Sequence, residues 1–180
     1  MRSFHNTIFF ILVLFSSIKQ YAQHHSKMEV AVNPELKTLN VKQDITFYNT
    51  SNDSLSSIVL NDWNNAFSNK NTPLAKRFSD EFYKGFHLAK PEERGSTTIL
   101  ALTDAQDVDF EWERTDEGPD FIVVKLNQKL PPNQKIELHI TYVAKIPSDK
   151  FTHYGYTQNG GMNLKNWFLN PARFENHDFV

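Results

Sequence analysis

The 180-residue chain holds 19 Lys and Arg against 21 Asp and Glu, a formal net charge of −2, and no cysteine. That balance leaves no basic footprint for a phosphate backbone, which argues against nucleic acid as a partner. Without cysteine there is neither a disulfide framework nor a lipid-attachment site at a leader junction, so the core must carry the fold.

In chain order, the first element is a leader. Met1-Arg2-Ser3-Phe4-His5 carries one firm positive charge, Ile8 to Phe15 is almost continuously apolar, and Ser16-Ser17-Ile18 leads to Tyr21-Ala22-Gln23. A basic start, a short apolar centre and a small residue near the cut are the layout of a secretory signal peptide. The apolar run is shorter than the ~20 residues a membrane span needs. Residues 1–22 are therefore expected to be removed after Ala22, and the product to be exported, to the periplasm or beyond. The remainder, 23–180, is read as one domain, of a size that buries roughly two-thirds of its unfolded surface.

Strand patterns follow. Met28, Val30 and Val32 alternate with polar neighbours. After the turn Asn33-Pro34-Glu35 the alternation resumes with Leu39, Val41, Ile45 and Phe47. Period two on both sides of an Asn-Pro turn predicts a hairpin of half-buried strands. Asn49 to Ser54 is a second turn; its two glycosylation-like triplets, Asn49-Thr50-Ser51 and Asn52-Asp53-Ser54, are ordinary turn composition. Leu55 to Leu60 is the next strand. Thr72 then caps a helix with Pro73 at its first position. Leu74, Phe78, Phe82 and Phe86 form its apolar stripe, Gly85 frays its last turn, and it is expected to pack on the sheet as an insertion. Three more strands complete the set. Asp107 to Glu113 has Val108, Phe110 and Trp112 inward, and Phe121 to Val124 is apolar on both faces. After Pro131-Pro132-Asn133 come Ile136, Leu138, Ile140 and Tyr142, with Glu137, His139 and Thr141 facing water. Strands at this spacing predict an all-β fold, an antiparallel sandwich or saddle-like sheet with one short inserted helix.

Local chemistry is sparse. A peptidase zinc site needs two histidines one helical turn apart with a glutamate beside the first, and no His-Glu-x-x-His occurs. His24 and His25 are adjacent and diverge, Pro91 separates His87 from Glu92 and Glu93, and His139 sits on a polar strand face. Asp107, Asp109, Glu111 and Glu113 could be spaced like a glycosidase pair, about 7 Å apart on one strand face, but alternation already explains them as solvated. A calcium loop would need glycine turns and backbone carbonyls that a strand does not offer. No Gly-x-Ser-x-Gly elbow is present, and Gly160-Gly161 lacks a phosphate-loop context. No catalytic residue, metal ligand or cofactor is assigned to this chain.

The tail, Tyr154 to Ala172, reads YGYTQNGGMNLKNWFLNPA and matches no helix or strand period. Tyr154, Tyr156, Trp167 and Phe168 among glycines and amides make it a candidate domain interface, since so much aromatic area rarely stays bare. A sugar-stacking platform is the other reading. The partner surface is expected beyond residue 180. Three stretches resemble the N-terminal β-domain of M1-family, aminopeptidase N-like zinc metallopeptidases: MEVAVNPELKTLNVKQDITFYNTSNDSLSSIVL, NNAFSNKNTPLAKRFSDEFYKGFHLAKPEERGSTTI and YGYTQNGGMNLKNWFLNPARF. The resemblance implies a fragment cut before a thermolysin-like domain that binds zinc through His-Glu-x-x-His and a more distant glutamate. That domain would hydrolyse peptide substrates. Gly160-Gly161-Met162-Asn163 looks like the family's Gly-x-Met-Glu-Asn motif but lacks its glutamate, so no catalytic residue carries over.

Overall fold

A computed structural model describes residues 24–115 and 118–179; the leader expected over residues 1–22 lies outside them. Seven strands build most of the fold: β1 (His25–Asn33), β2 (Thr38–Tyr48), β3 (Leu55–Asn61), β4 (Ser96–Thr103), β5 (Glu111–Glu113), β6 (Phe121–Leu130) and β7 (Lys135–Lys145). The tail adds five two-residue strands: β8 (Gly155–Tyr156), β9 (Met162–Asn163), β10 (Asn170–Pro171), β11 (Phe174–Glu175) and β12 (Asp178–Phe179). Two antiparallel four-stranded sheets, ordered β1-β2-β7-β4 and β10-β3-β6-β5, face one another as a β-sandwich. No helix among the described residues is long and apolar enough to cross a membrane.

The alternation in β2 and β7 builds the core as expected. Leu39, Val41, Ile45 and Phe47 meet Leu138, Ile140 and Tyr142 from the neighbouring strand and Ile58, Leu60, Ile122 and Val124 from the facing sheet. Each fully buried aliphatic side chain contributes about 1.5–3 kcal/mol. The inward row of β2 also includes Gln43, which is buried. Its amide is tolerated because every direction is answered: Nε2 donates to Leu169 O at 2.8 Å and Ser26 Oγ at 2.9 Å, and Oε1 accepts from the Tyr142 hydroxyl at 2.8 Å. A buried amide with partners is neutral to favourable; without them it would be expensive.

At one end of the sandwich the β2–β3 and β6–β7 connections are stitched together by Asn49. Its N–H donates to Gln134 O, its carbonyl accepts from Asn133 N, and Nδ2 reaches Asp53 O and Leu130 O. Asn49 is therefore a structural turn residue, buried in the fold.

Three local readings are corrected and one strand absent from the sequence reading is added, four points in all. First, β1 and β2 form the hairpin, in register from His25↔Thr46 to Asn33↔Thr38, but β1 is not half-buried. Met28, Val30 and Val32 lie opposite Gln43, Val41 and Leu39, on the core side of the sheet. The row overhangs the facing sheet, leaving Val30 41% and Val32 56% exposed. Second, β4 breaks its own period with an irregularity between Ile99 and Ala101 that leaves Leu100 exposed, so alternation does not reveal it. Third, Asp107–Glu113 is not one strand. Asp107 sits in a turn at φ 59, Thr103 and Asp109 form an isolated bridge, and the regular strand covers only Glu111–Glu113. The chain moves from one sheet to the other here, so Phe110 is buried while Val108 and Trp112 are exposed.

The fourth concerns the helix, α1 (Pro73–Asp80). Its start is as expected: Thr72 Oγ1 accepts from Ala75 N at 3.2 Å and donates to Ala66 O at 2.7 Å, with Pro73 at the first position. It stops well before Gly85. Tyr83 N donates to Phe78 O and Phe82 N to Ser79 O, a Schellman end with Phe82 in the left-handed position at φ 59. Phe82 therefore leaves the stripe and points outward, 88% exposed. Phe86 returns from the following loop into a second small core with Ala66, Phe67, Leu74, Ala75, Phe78, Phe151 and Tyr154. A left-handed non-glycine residue is strained by about 1–2 kcal/mol. Phe82→Gly is expected to raise stability by roughly 0.5–1 kcal/mol in a denaturant titration, because no buried contact is lost.

Candidate functional site

The connection between β3 and β4 begins with a short 3₁₀ turn, Trp63–Phe67, capped by Asp62. Asp62, Asn64 and Asn65 are buried there. Asp62 Oδ2 pairs with Arg114 Nη2 at 2.6 Å, and its Oδ1 accepts from Thr97 Oγ1 at 2.7 Å and Asn65 N at 3.3 Å. Asn65 Nδ2 donates to Pro119 O and its Oδ1 accepts from Thr97 N. Asn64 Nδ2 reaches Ser96 O, Thr97 Oγ1 and Lys145 O, while its Oδ1 accepts from the Tyr154 hydroxyl at 2.8 Å. One polar hub thus ties the Trp63–Phe67 turn, β4, the β5–β6 connection and the tail. Burial pushes the Asp62 carboxyl above its ordinary range, and the Arg114, Thr97 and Asn65 bonds pull it back. Every one of its bonds is internal, so the hub holds the fold; it presents no free acid or base.

The four tail aromatics separate. Tyr154 is buried: its ring packs on Phe67 at 5.5 Å between centroids and its hydroxyl is taken by Asn64. Trp167, half-buried, packs against both cores and meets Phe168 edge-on at 5.7 Å. Both of these find packing partners within the described residues. Tyr156 carries Lys37 Nζ at 3.9 Å over its ring, a cation–π contact. Phe168 lines a cleft. Gly160 and Gly161 lie between β8 and β9, where Thr157 Oγ1 accepts from Gly161 N, and Met162 packs on the main core.

The tail is pinned through Gly155. Tyr156 N donates to Pro147 O and Asp149 N to Tyr156 O, drawing the two backbones together. Gly155 has φ 141, and a Cβ there would lie 2.2 Å from Pro147 O. Both the dihedral and the backbone clash exclude a side chain. Gly155→Ala is expected to destabilise by at least 2–3 kcal/mol in chemical denaturation, more than an ordinary surface change.

Phe168, Trp63 and Phe121 line a shallow cleft of about 440 Å³ with Asn61, Asp120, Asn166 and Asn170. Trp63 and Phe121 are exposed, and Asp120 Oδ1 is buried without a hydrogen-bond partner among the described residues. An aromatic patch rimmed by amides is the composition of a contact surface. In the sequence Phe121 reads only as part of a strand apolar on both faces, whereas the structure exposes it, and Trp63 carries no pattern. The one signal was Asn61-Asp62-Trp63-Asn64-Asn65, a polar run directly after a strand that turn composition explains equally well.

The candidate ligands scatter. His87 Nε2 lies 3.0 Å from Ala75 O, His139 pairs with Asp44 at 2.7 Å, and His24 stacks on Phe47. Asp107 to Glu113 spans a turn and an exposed strand. Among the described residues no three His, Asp or Glu side chains converge, so these residues do not fit a zinc ion.

The buried phenols set a pH response. Burial pushes Tyr142 and Tyr154 well above the ordinary tyrosine value of 10.0, and the Asp62 charge adds to the effect. Both ionise more readily in the unfolded chain. The stability they contribute is therefore complete below pH 10 and lost as pH rises past it. Circular dichroism with phenolate absorbance is expected to show these two tyrosines ionising only as the fold is lost. Ionisation of all described tyrosines with the fold intact would contradict this. No family model matches the sequence, and no curated protein matches it.

Proposed function

We propose that this chain is the non-catalytic N-terminal β-domain of an exported, M1-like zinc metallopeptidase. Its groups that resemble chemistry, Asp62, Arg114, Tyr142 and Tyr154, are consumed in internal bonds, while apolar surface stays open at Trp63, Phe121 and Phe168. That division of labour carries the reading: the domain packs and shapes, and another domain reacts. The antiparallel sandwich with a helical excursion between β3 and β4 suits the three stretches that resemble the family. In this reading the aromatic cleft seats the downstream catalytic domain, which supplies the zinc ligands and the general base for peptide hydrolysis. In this reading the described residues serve packing and shape, not metal binding or proton transfer.

The test is the coding sequence past codon 180, followed by assay of the intact exported product. The expected result is an in-frame His-Glu-x-x-His and zinc-dependent release of amino-terminal residues from peptides. A verified frame that closes after Val180, or an intact product without that activity, overturns the reading. One observation favours a second reading, a free-standing glycan-binding module. The side-chain amides of Asn61, Asn166 and Asn170 make no hydrogen bond among the described residues and stand beside three aromatic rings, the pairing that stacks sugars and holds their hydroxyls. Calorimetry with oligosaccharides on the purified chain decides it: sub-millimolar binding lost in Trp63→Ala favours the module.

A further inference from the structure

On the other side of the polar hub, where the helical excursion rejoins β4, a pocket of about 330 Å³ is lined by Ser68, Asn69, Lys70, Arg94, Ser96 and Lys145, together with Pro91 and Gly95. Three cationic side chains line it and no acidic one does. Arg94 is held in place from two sides: Nη2 donates to Phe86 O at 2.8 Å, and Cζ lies 4.6 Å above the Phe86 ring. Yet the guanidinium has no carboxylate within ion-pair distance among the described residues, and its Nη1 is buried with no hydrogen-bond partner. Its sequence neighbour Glu93 is committed elsewhere, to Lys150 Nζ and to the Lys90 N–H. Lys145 Nζ donates only to Pro91 O at 2.8 Å, an uncharged acceptor.

A partly buried arginine whose neighbouring carboxylate, Glu93, is paired elsewhere, and whose Nη1 is enclosed without an acceptor, is destabilising unless something offsets it. Here the surroundings fix the guanidinium by its carbonyl and its ring, and a second cation stands across the pocket. A guanidinium fork, an ammonium point charge, two hydroxyls and an amide are the donors that bind oxyanions. We propose that this pocket is an oxyanion-binding site for a doubly charged group, a phosphate or a sulfate, free or as an ester. Three lining cations without an acid favour a dianion over a single carboxylate. The anion contacts the open edge of Arg94 and Lys145 Nζ; its charge offsets the guanidinium even where Nη1 stays enclosed. Ser68, Ser96 and Asn69 supply neutral donors, and the exposed Lys70 closes the open side. This assignment is independent of the peptidase reading.

The experiment is titration of the purified chain with inorganic phosphate, sulfate and acetate at constant ionic strength, followed by NMR shifts and by thermal unfolding. Saturable phosphate or sulfate binding is expected, with acetate at least ten-fold weaker. Arg94→Gln is expected to weaken the dianions ten-fold or more and Lys145→Gln three- to ten-fold, while Lys165→Gln, an exposed lysine of the tail, leaves binding unchanged. Should Arg94→Gln fail to fold, Lys145→Gln and Arg94→Lys give the same readout. A preference for phosphate over sulfate, or the reverse, identifies which ester to pursue. Absence of saturable binding, equal binding of acetate, or binding unchanged in both the Arg94 and Lys145 variants overturns the proposal.

Discussion

Asp62→Ala is expected to destabilise the fold by about 3–5 kcal/mol, a large part of the 5–15 kcal/mol a domain of this size holds. The reason is what the substitution leaves behind. Arg114, mostly buried, loses a 2.6 Å ion pair, and Thr97 Oγ1 and Asn65 N lose their acceptor. A buried cation without its counter-charge is the most expensive of these losses. Because the hub joins the Trp63–Phe67 turn, β4 and the β5–β6 connection, the loss is expected to appear as a lower urea midpoint for the whole sandwich. Replacing both charges, as Asp62→Leu with Arg114→Met, is expected to recover at least half of it, since no unpaired charge remains. If Asp62→Ala unfolds at the same urea concentration as the parent chain, the hub is not the structural lock described above.

Phe67→Ala is expected to destabilise by a similar amount, about 3–5 kcal/mol, by a different mechanism. Phe67 is fully buried and its ring touches three others, with centroids 5.7 Å from Trp63, 6.2 Å from Phe86 and 5.5 Å from Tyr154. Deleting it removes transfer free energy and leaves a cavity that rigid neighbouring rings fill poorly. The effect should be local first. Hydrogen exchange is expected to accelerate in α1 and in the loop carrying Phe86 before it does in β2 or β7, whose core is separate. Uniform acceleration across the sandwich would mean that the two cores are one cooperative unit. The pair of variants therefore separates the polar joint from the aromatic packing it borders.

Much of the sandwich is legible because a strand buried on one face writes its environment directly into period two. β2 and β7 are central in their sheet, and their apolar rows are the rows that pack. Thr72-Pro73 is legible for a similar reason: a cap is satisfied by atoms within three residues. The misreadings share one cause. β1 has the right period and lies at an edge the facing sheet does not cover. Phe82 continues a period of four past the point where the helix closes. The Val108–Trp112 alternation spans a crossing between sheets. The candidate aromatic cleft is less legible still. Its members, Trp63, Phe121 and Phe168, come from three separate parts of the chain and share no spacing.

Sequence by itself determined the class of fold, the hairpin and the helix start, because these follow from local periodicity and turn chemistry. Tertiary structure alone decided which apolar rows are covered, that Gln43, Asp62 and Asn64 are interior groups with partners, and that the tail aromatics Tyr154 and Trp167 pack against their own chain. Burial and hydrogen-bond satisfaction are properties of surfaces that meet across long stretches of sequence, such as Gln43 with Leu169 and Asn64 with Tyr154. No local pattern encodes them.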